Sequence, residues 1–193
     1  LYGGHAVCGT GHSHPLVVNA LKEQAEKVLF YSNLVYSDLR ARVAEKLVSV
    51  APPSLTKAFF CNSGTEANEN AMRIARLATG RQKVISFSGS FHGRSADSIS
   101  ATFLGKYRDL GKPNVPFHEM AEFGDIDSVR SVADDSTAAI ILEPIQSMAG
   151  VREADPEFFK ELRLLCNDLG IVLIFDEVQT GVGLTGSMWC WQQ

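Results

Sequence analysis

The feature that most constrains the fold is a set of short apolar runs, each ending at a carboxylate or a glycine-rich turn. Ala138 to Leu142 stops at Glu143, and Ile171 to Phe175 stops at Asp176-Glu177. A strand that is apolar along its whole length must be buried on both faces, as in parallel sheets. Lys83 to Ser88 reads as another strand, running into Gly89-Ser90-Phe91-His92-Gly93, and Lys57 to Cys61 as a fourth. Helical periodicity separates these runs. It covers Thr65 to Thr79, stopped by Gly80, then Ile126 to Val132, then Pro156 to Leu169, stopped by Gly170; a further helix is expected after Arg94. Strands alternating with amphipathic helices predict an α/β fold, a mostly parallel sheet with flanking helices.

The first 50 residues read differently. After a glycine-rich opening, Pro15 starts a helix in which Leu16, Ala20, Leu21 and Val28 fall near helical spacing. Ser37 or Asp38 can cap a second helix with Leu39, Val43, Leu47 and Val50 on one face, and Ala51-Pro52-Pro53 ends it. The division expected is an amino-terminal arm with helices over 1–50 and a partial large domain over 51–193.

Composition excludes several function classes. The 193 residues carry a formal net charge of −4, with Lys and Arg scattered singly, so no nucleic-acid partner is expected. The longest apolar runs, Ile171 to Phe175 and Ala138 to Leu142, are far too short to span a bilayer, so no membrane partner is expected. Cys8, Cys61, Cys166 and Cys190 form no CxxC pair, and no signal-peptide pattern opens the chain; reduced thiols and a cytoplasmic location are expected. His5, His12 and His14 lack a Cys or carboxylate beside them, and no metal is expected.

In open parallel sheets, ligands bind beyond the carboxyl ends of the strands. That rule singles out Ser63-Gly64-Thr65-Glu66, Phe91-His92, Glu143 and Asp176. The first is either a phosphate cradle at a helix amino terminus or an ordinary capping box. Phe91 and His92 are core rings or a face offered to a flat ligand. Asp176 and Glu143 are solvated, structurally paired, or partners of a cationic ligand. Ser63-Gly64-Thr65-Glu66 is not the GxGxxG of dinucleotide folds, which argues against NAD.

Taken in order, Gly11-His12-Ser13-His14-Pro15, Asn62-Ser63-Gly64-Thr65-Glu66-Ala67-Asn68-Glu69, Phe91-His92-Gly93-Arg94, Glu143-Pro144-Ile145-Gln146 and Phe175-Asp176-Glu177-Val178-Gln179-Thr180-Gly181 resemble the class III aminotransferases of fold type I. These use pyridoxal 5'-phosphate (PLP). The opening Leu1 to Val7 is most similar to the acetylornithine aminotransferase branch. The resemblance implies the large domain of that fold, incomplete here, and a homodimer at full length. It also implies transfer of an amino group from N-acetylornithine, or a similar ω-amine, to 2-oxoglutarate. Alternatives of the same class are another ω-amine transaminase or a glutamate-semialdehyde aminomutase; a third is a truncated, non-catalytic PLP-binding remnant.

The roles implied are specific. Ser63, Gly64 and Thr65 bind the cofactor phosphate; Phe91, with His92 beside it, lies against the ring, and Val178 packs on the other face. Asp176 pairs with the ring nitrogen and keeps it protonated, and Gln179 reaches the phenolic oxygen. Arg94 grips the substrate α-carboxylate, and Glu143 occupies the gating position near the second substrate's carboxylate. Three departures accompany the resemblance. Ser147 stands where the family has glycine, and Leu184 where it has arginine. The Schiff-base lysine belongs to a later segment, since no lysine follows Lys160, so the isolated chain is expected to be inactive.

Overall fold

The computed structural model describes residues 3–32 and 34–193. Four strands, β1 (Lys83–Phe87), β2 (His118–Ala121), β3 (Thr137–Leu142) and β4 (Val172–Phe175), form one sheet in the order β2-β1-β3-β4, every pair parallel. The helices are α1 (Pro15–Ala25), α2 (Asp38–Ser49), α3 (Gly64–Thr79), α4 (Ala96–Ser100), α5 (Gly105–Leu110), α6 (Ile126–Val132) and α7 (Pro156–Leu169), with a 3-10 turn at Cys190–Gln192.

Side chains alternate across the sheet, and the two faces receive different helices. Val84, Ala139 and Ile141 pack under Met72 and Ala75 of α3. Ile85, Phe87, Ile140 and Leu142 face the other way, onto Val129 of α6 and Phe158, Leu162 and Cys166 of α7. Phe87, Phe123 and Phe158 meet edge to face there, with centroids 5.7–6.0 Å apart. Both faces of β3 are therefore buried, as its unbroken apolar sequence requires.

Helix ends follow local chemistry. Ser63 Oγ accepts from the Glu66 amide, and Gly80 closes α3 in the left-handed conformation. Asp155 caps α7, Pro156 fills its first turn, and Gly170 ends it. Ser37 caps α2 as read from sequence.

Two sequence expectations need correction. Lys57 to Cys61 forms no strand: it pairs with none of the four strands, and Phe59 and Phe60 are exposed. Apolar content alone does not make a strand without a sheet edge to join. Conversely, β2 went unread. It is a short edge strand whose His118-Glu119-Met120-Ala121 has polar or exposed residues at its centre.

Neither α1 nor α2 buries a residue, and the 1–60 segment exposes many apolar side chains. It is tied to the rest by Trp189 Nε1, which donates to the Val50 carbonyl at 2.7 Å, and by His5 and Val7 at the rim of the main cleft. Among the described residues no helix is long and apolar enough to cross a membrane.

The strand order places the site. The chain goes from β1 outward to β2, then crosses back to β3 on the other side of β1. Loops after β1 and β3 therefore part from one another, and a crevice opens at the carboxyl ends of the strands.

Candidate functional site

That crevice holds a cleft of about 570 Å³. Every site residue named from sequence lines it: Ser63, Gly64 and Thr65 at the amino end of α3, Phe91, His92 and Arg94 after β1, Glu143 after β3, and Asp176, Val178 and Gln179 after β4.

At its floor lies a carboxylate held by three donors. Asp176 Oδ2 accepts from Asn68 Nδ2 and from His92 Nδ1, both at 2.7 Å, and Oδ1 accepts from the Val178 amide at 3.1 Å. Asp176 is only 6% exposed. Burial pushes its carboxyl up, but hydrogen bonds from His92, Val178 and Asn68 and the attraction of the His92 ring outweigh that effect and hold it below the usual carboxylate range. The result is a desolvated anion at the end of a rigid strand. Its backbone amide is itself fixed to the Leu142 carbonyl at 2.8 Å.

Glu143, 5% exposed, behaves oppositely. Burial raises its carboxyl to about 7, and the nearby Asp176 charge adds to the rise; His92 and the amides of Phe91 and Ser147 oppose it. The Phe91 amide donates to Glu143 Oε1 at 2.8 Å, so this carboxyl anchors the loop that carries the aromatic ring. Ser147 is accommodated without a left-handed backbone, and its amide helps to hold Glu143. Leu184 lies half exposed in the loop beyond the site. Phe91 is braced edge-on by Tyr107, centroids 5.3 Å apart, which also lines the cleft.

The amino end of α3 is built for close approach. A Cβ on Gly64 would sit 2.9 Å from Val178 Cγ2, so glycine is what lets the helix start meet the β4 loop. Gly93 has φ +131°, and a Cβ there would run into Thr65 Oγ1. Thr65 Oγ1 also meets Ser95 Oγ at 2.6 Å, and Ser98 Oγ donates to the Thr65 carbonyl at 3.1 Å. Glu66 closes a capping arrangement by accepting from the Asn62 amide at 2.7 Å. The capped start of α3 therefore lies in the wall of the cleft. The first amides of a sixteen-residue helix face the cleft with partial positive charge.

Arg94 is exposed at the rim with no ion pair among the described residues. The adjacent carboxylates of Asp176-Glu177 divide: Glu177 turns away and accepts from the amides of Cys190 at 2.7 Å and Trp191 at 3.2 Å. Sequence reading missed Asn68 and Tyr107. A signal for Asn68 existed, because it is a polar residue on the helical stripe that continues through Met72 and Ala75. No lysine lines the cleft, and no group of three or more His, Cys, Asp or Glu among the described residues is suited to a metal.

Comparisons with known proteins converge on one family. The model of the class-III aminotransferases matches residues 1–193. The chain is 46% identical over 192 residues to an acetylornithine aminotransferase of Methanopyrus kandleri, covering 100% of this chain and 49% of that protein. It is 42% identical over 190 residues to a LysW-aminoadipate semialdehyde transaminase of Deinococcus radiodurans, covering 96% and 44%. Among solved structures, an ornithine aminotransferase from Toxoplasma gondii superposes with a TM-score of 0.90 at 27% identity, over 97% of this chain and 46% of that one. A taurine:2-oxoglutarate aminotransferase from Bifidobacterium kashiwanohense, solved with PLP and glutamate, gives 0.87 at 31% identity, over 94% and 46%. The chain spans about half the length of the curated relatives it matches. With its whole length matched by the family model and 46% identity to an acetylornithine aminotransferase, this chain belongs to the class-III aminotransferases.

Proposed function

We propose that the protein of full family length containing these residues is a PLP-dependent aminotransferase that takes the ω-amino group of N-acetylornithine, or a similar ω-amine, and passes it to 2-oxoglutarate. One observation carries the reading: a buried, triply hydrogen-bonded Asp176 anion shares a cleft with a helix amino terminus and an aromatic ring. That donor set fits the cofactor. The helix start with Ser63, Gly64 and Thr65 suits a phosphate, and Phe91 and Val178 offer apolar surfaces to a flat ring. Asp176 suits a protonated ring nitrogen, and Gln179 lies within the same lining for a phenolic oxygen.

When bound, PLP supplies an electron sink for the carbanion left when the donor's amine-bearing carbon loses its proton. The protein's own residues do the rest. Asp176, kept charged by His92 and Asn68, holds a proton on the group it faces. Glu143 fixes the Phe91 amide and thereby the ring wall. Its carboxyl, titrating near 7, can meet the second substrate's carboxylate side as a neutral acid or repel it as an anion. Arg94, unpaired and at the rim, offers a planar fork to the substrate α-carboxylate.

Substrate choice leans on the relatives named above, one an acetylornithine aminotransferase and one a LysW-aminoadipate semialdehyde transaminase. We read residues 1–50 as an arm and 51–193 as part of the large domain, expect a homodimer at full length, and place the reaction in the cytoplasm, in keeping with four free cysteines. Because no lysine lines the cleft, this chain alone is expected to be inactive.

The test measures PLP binding and amino transfer from acetylornithine to 2-oxoglutarate in the full-length protein and its Asp176→Ala variant. Loss of both on substitution supports the reading; full transfer without Asp176 contradicts it. Borohydride treatment of this chain after incubation with PLP should leave no lysine stoichiometrically modified.

A further inference from the structure

We propose that Asn68 is a positioning residue: its side-chain amide ties the Asp176 carboxylate to the loop after β1 and to the helix whose amino end receives phosphate, and so fixes the carboxylate's orientation in the cleft. This deepens the PLP reading above and rests on it.

The geometry is specific. Asn68 Nδ2 donates to Asp176 Oδ2 at 2.7 Å and to the His92 carbonyl at 2.9 Å. Both amide hydrogens are thereby used. The opposite flip would set the Asn68 oxygen against a carboxylate and a carbonyl, so the orientation is forced by its partners. Asn68 is 5% exposed and lies one turn beyond Gly64 on α3. A helix rises about 1.5 Å per residue, so the phosphate cradle and the Asn68 amide are about 6 Å apart along one rigid element. Of the three donors to Asp176, His92 comes from the β1 loop and Val178 from the carboxylate's own loop, leaving Asn68 as the link to α3.

Chemistry explains the residue type. An apolar side chain would leave the His92 carbonyl without its side-chain donor and the buried Asp176 carboxylate with only His92 and Val178. A lysine would add a charge that neutralises the anion, and an aspartate would face Asp176 with a like charge. An amide donates twice and adds no charge. The other charged or titratable groups facing Asp176 are His92 from the β1 loop and Glu143 from β3. Asn68 and His92 together keep Asp176 ionised in a setting that also raises Glu143.

The experiment follows the Asp176 carboxylate by ¹³C NMR as pH is varied, in the full-length protein without cofactor, for wild type, Asn68→Ala and Asn68→Asp. PLP binding is followed in parallel by absorbance. In Asn68→Ala the Asp176 titration should move up by about one pH unit, and in Asn68→Asp at least as far, with the remaining spectrum retained. PLP affinity should fall several-fold, because the carboxylate loses its fixed orientation in the cleft. An Asp176 titration unmoved in a folded variant overturns the proposal, and so does loss of the fold in both variants, which would make Asn68 a packing residue. If only Asn68→Ala fails to fold, Asn68→Asp decides by the same criterion. Should wild type bind no PLP, the cofactor reading fails, while the titration still decides the role of Asn68.

Discussion

His92 Nδ1 donates to Asp176 Oδ2 at 2.7 Å, between two side chains that are 0% and 4% exposed. The contact joins the loop after β1 to the end of β4 across the intervening β3. Neither group would be stable there alone, since a buried polar group without a partner costs several kcal/mol. The pair therefore fixes the floor of the cleft before any ligand arrives.

Glu143 should make stability fall as pH rises. Its folded value of about 7 exceeds the ordinary 4.5, so below pH 4.5 it is protonated in both states and costs nothing. Between 4.5 and 7 the unfolded chain releases its proton first, and the fold loses stability; above 7 the penalty is complete. Glu143→Gln keeps an acceptor for the Phe91 amide and removes the charge. Urea unfolding should show the variant more stable by on the order of 1–3 kcal/mol at pH 8, with little difference at pH 4. A difference independent of pH would contradict the assignment.

Gly93→Ala should cost far more than Gly80→Ala. Both glycines have positive φ, but a Cβ at Gly80 meets nothing within 4 Å, whereas at Gly93 it strikes Thr65 and approaches Ser98 Cβ at 3.0 Å. Backbone strain alone predicts about 1 kcal/mol at Gly80, and strain with overpacking about 2–4 kcal/mol at Gly93. Chemical denaturation of the two variants side by side checks this, and equal losses would remove the close approach of Gly93 and Thr65 from the account.

Arg94→Lys in the full-length protein should reduce kcat/KM for acetylornithine and for glutamate while leaving PLP affinity nearly unchanged. Lysine keeps the charge but loses the two-bond fork, a loss of about 1.5–3 kcal/mol, or roughly ten- to hundred-fold. Steady-state kinetics with both amino donors decides. Unchanged kcat/KM for both would take Arg94 out of the site.

Much of this was legible in the sequence because burial imposes pattern. β3 is an apolar run because both of its faces are buried, β4 is apolar with both faces partly covered, and their ends place Glu143 and Asp176 at one edge of the sheet. The ends of α3 and α7 are written in Ser63, Gly80, Pro156 and Gly170. What stayed hidden depends on tertiary pairing. The sequence of β2 has little apolar content because Glu119 and Met120 at its centre are exposed, and Phe59-Phe60 look like a strand although they pair with none of the four strands. Asp176 and Glu177 are adjacent and chemically alike, and only their donors separate them: His92, Asn68 and Val178 for one, the Cys190 and Trp191 amides for the other. Asn68 and its partner Asp176 lie 108 residues apart, so no local pattern announces their contact.

The most direct test of the central claim is a crystal structure of the full-length protein grown with PLP. The account predicts the phosphate on the amides of Gly64 and Thr65 at the start of α3, the ring between Phe91 and Val178, and the ring nitrogen within hydrogen-bond distance of Asp176. PLP bound with its phosphate away from α3, or with its ring nitrogen facing any group other than Asp176, would contradict it.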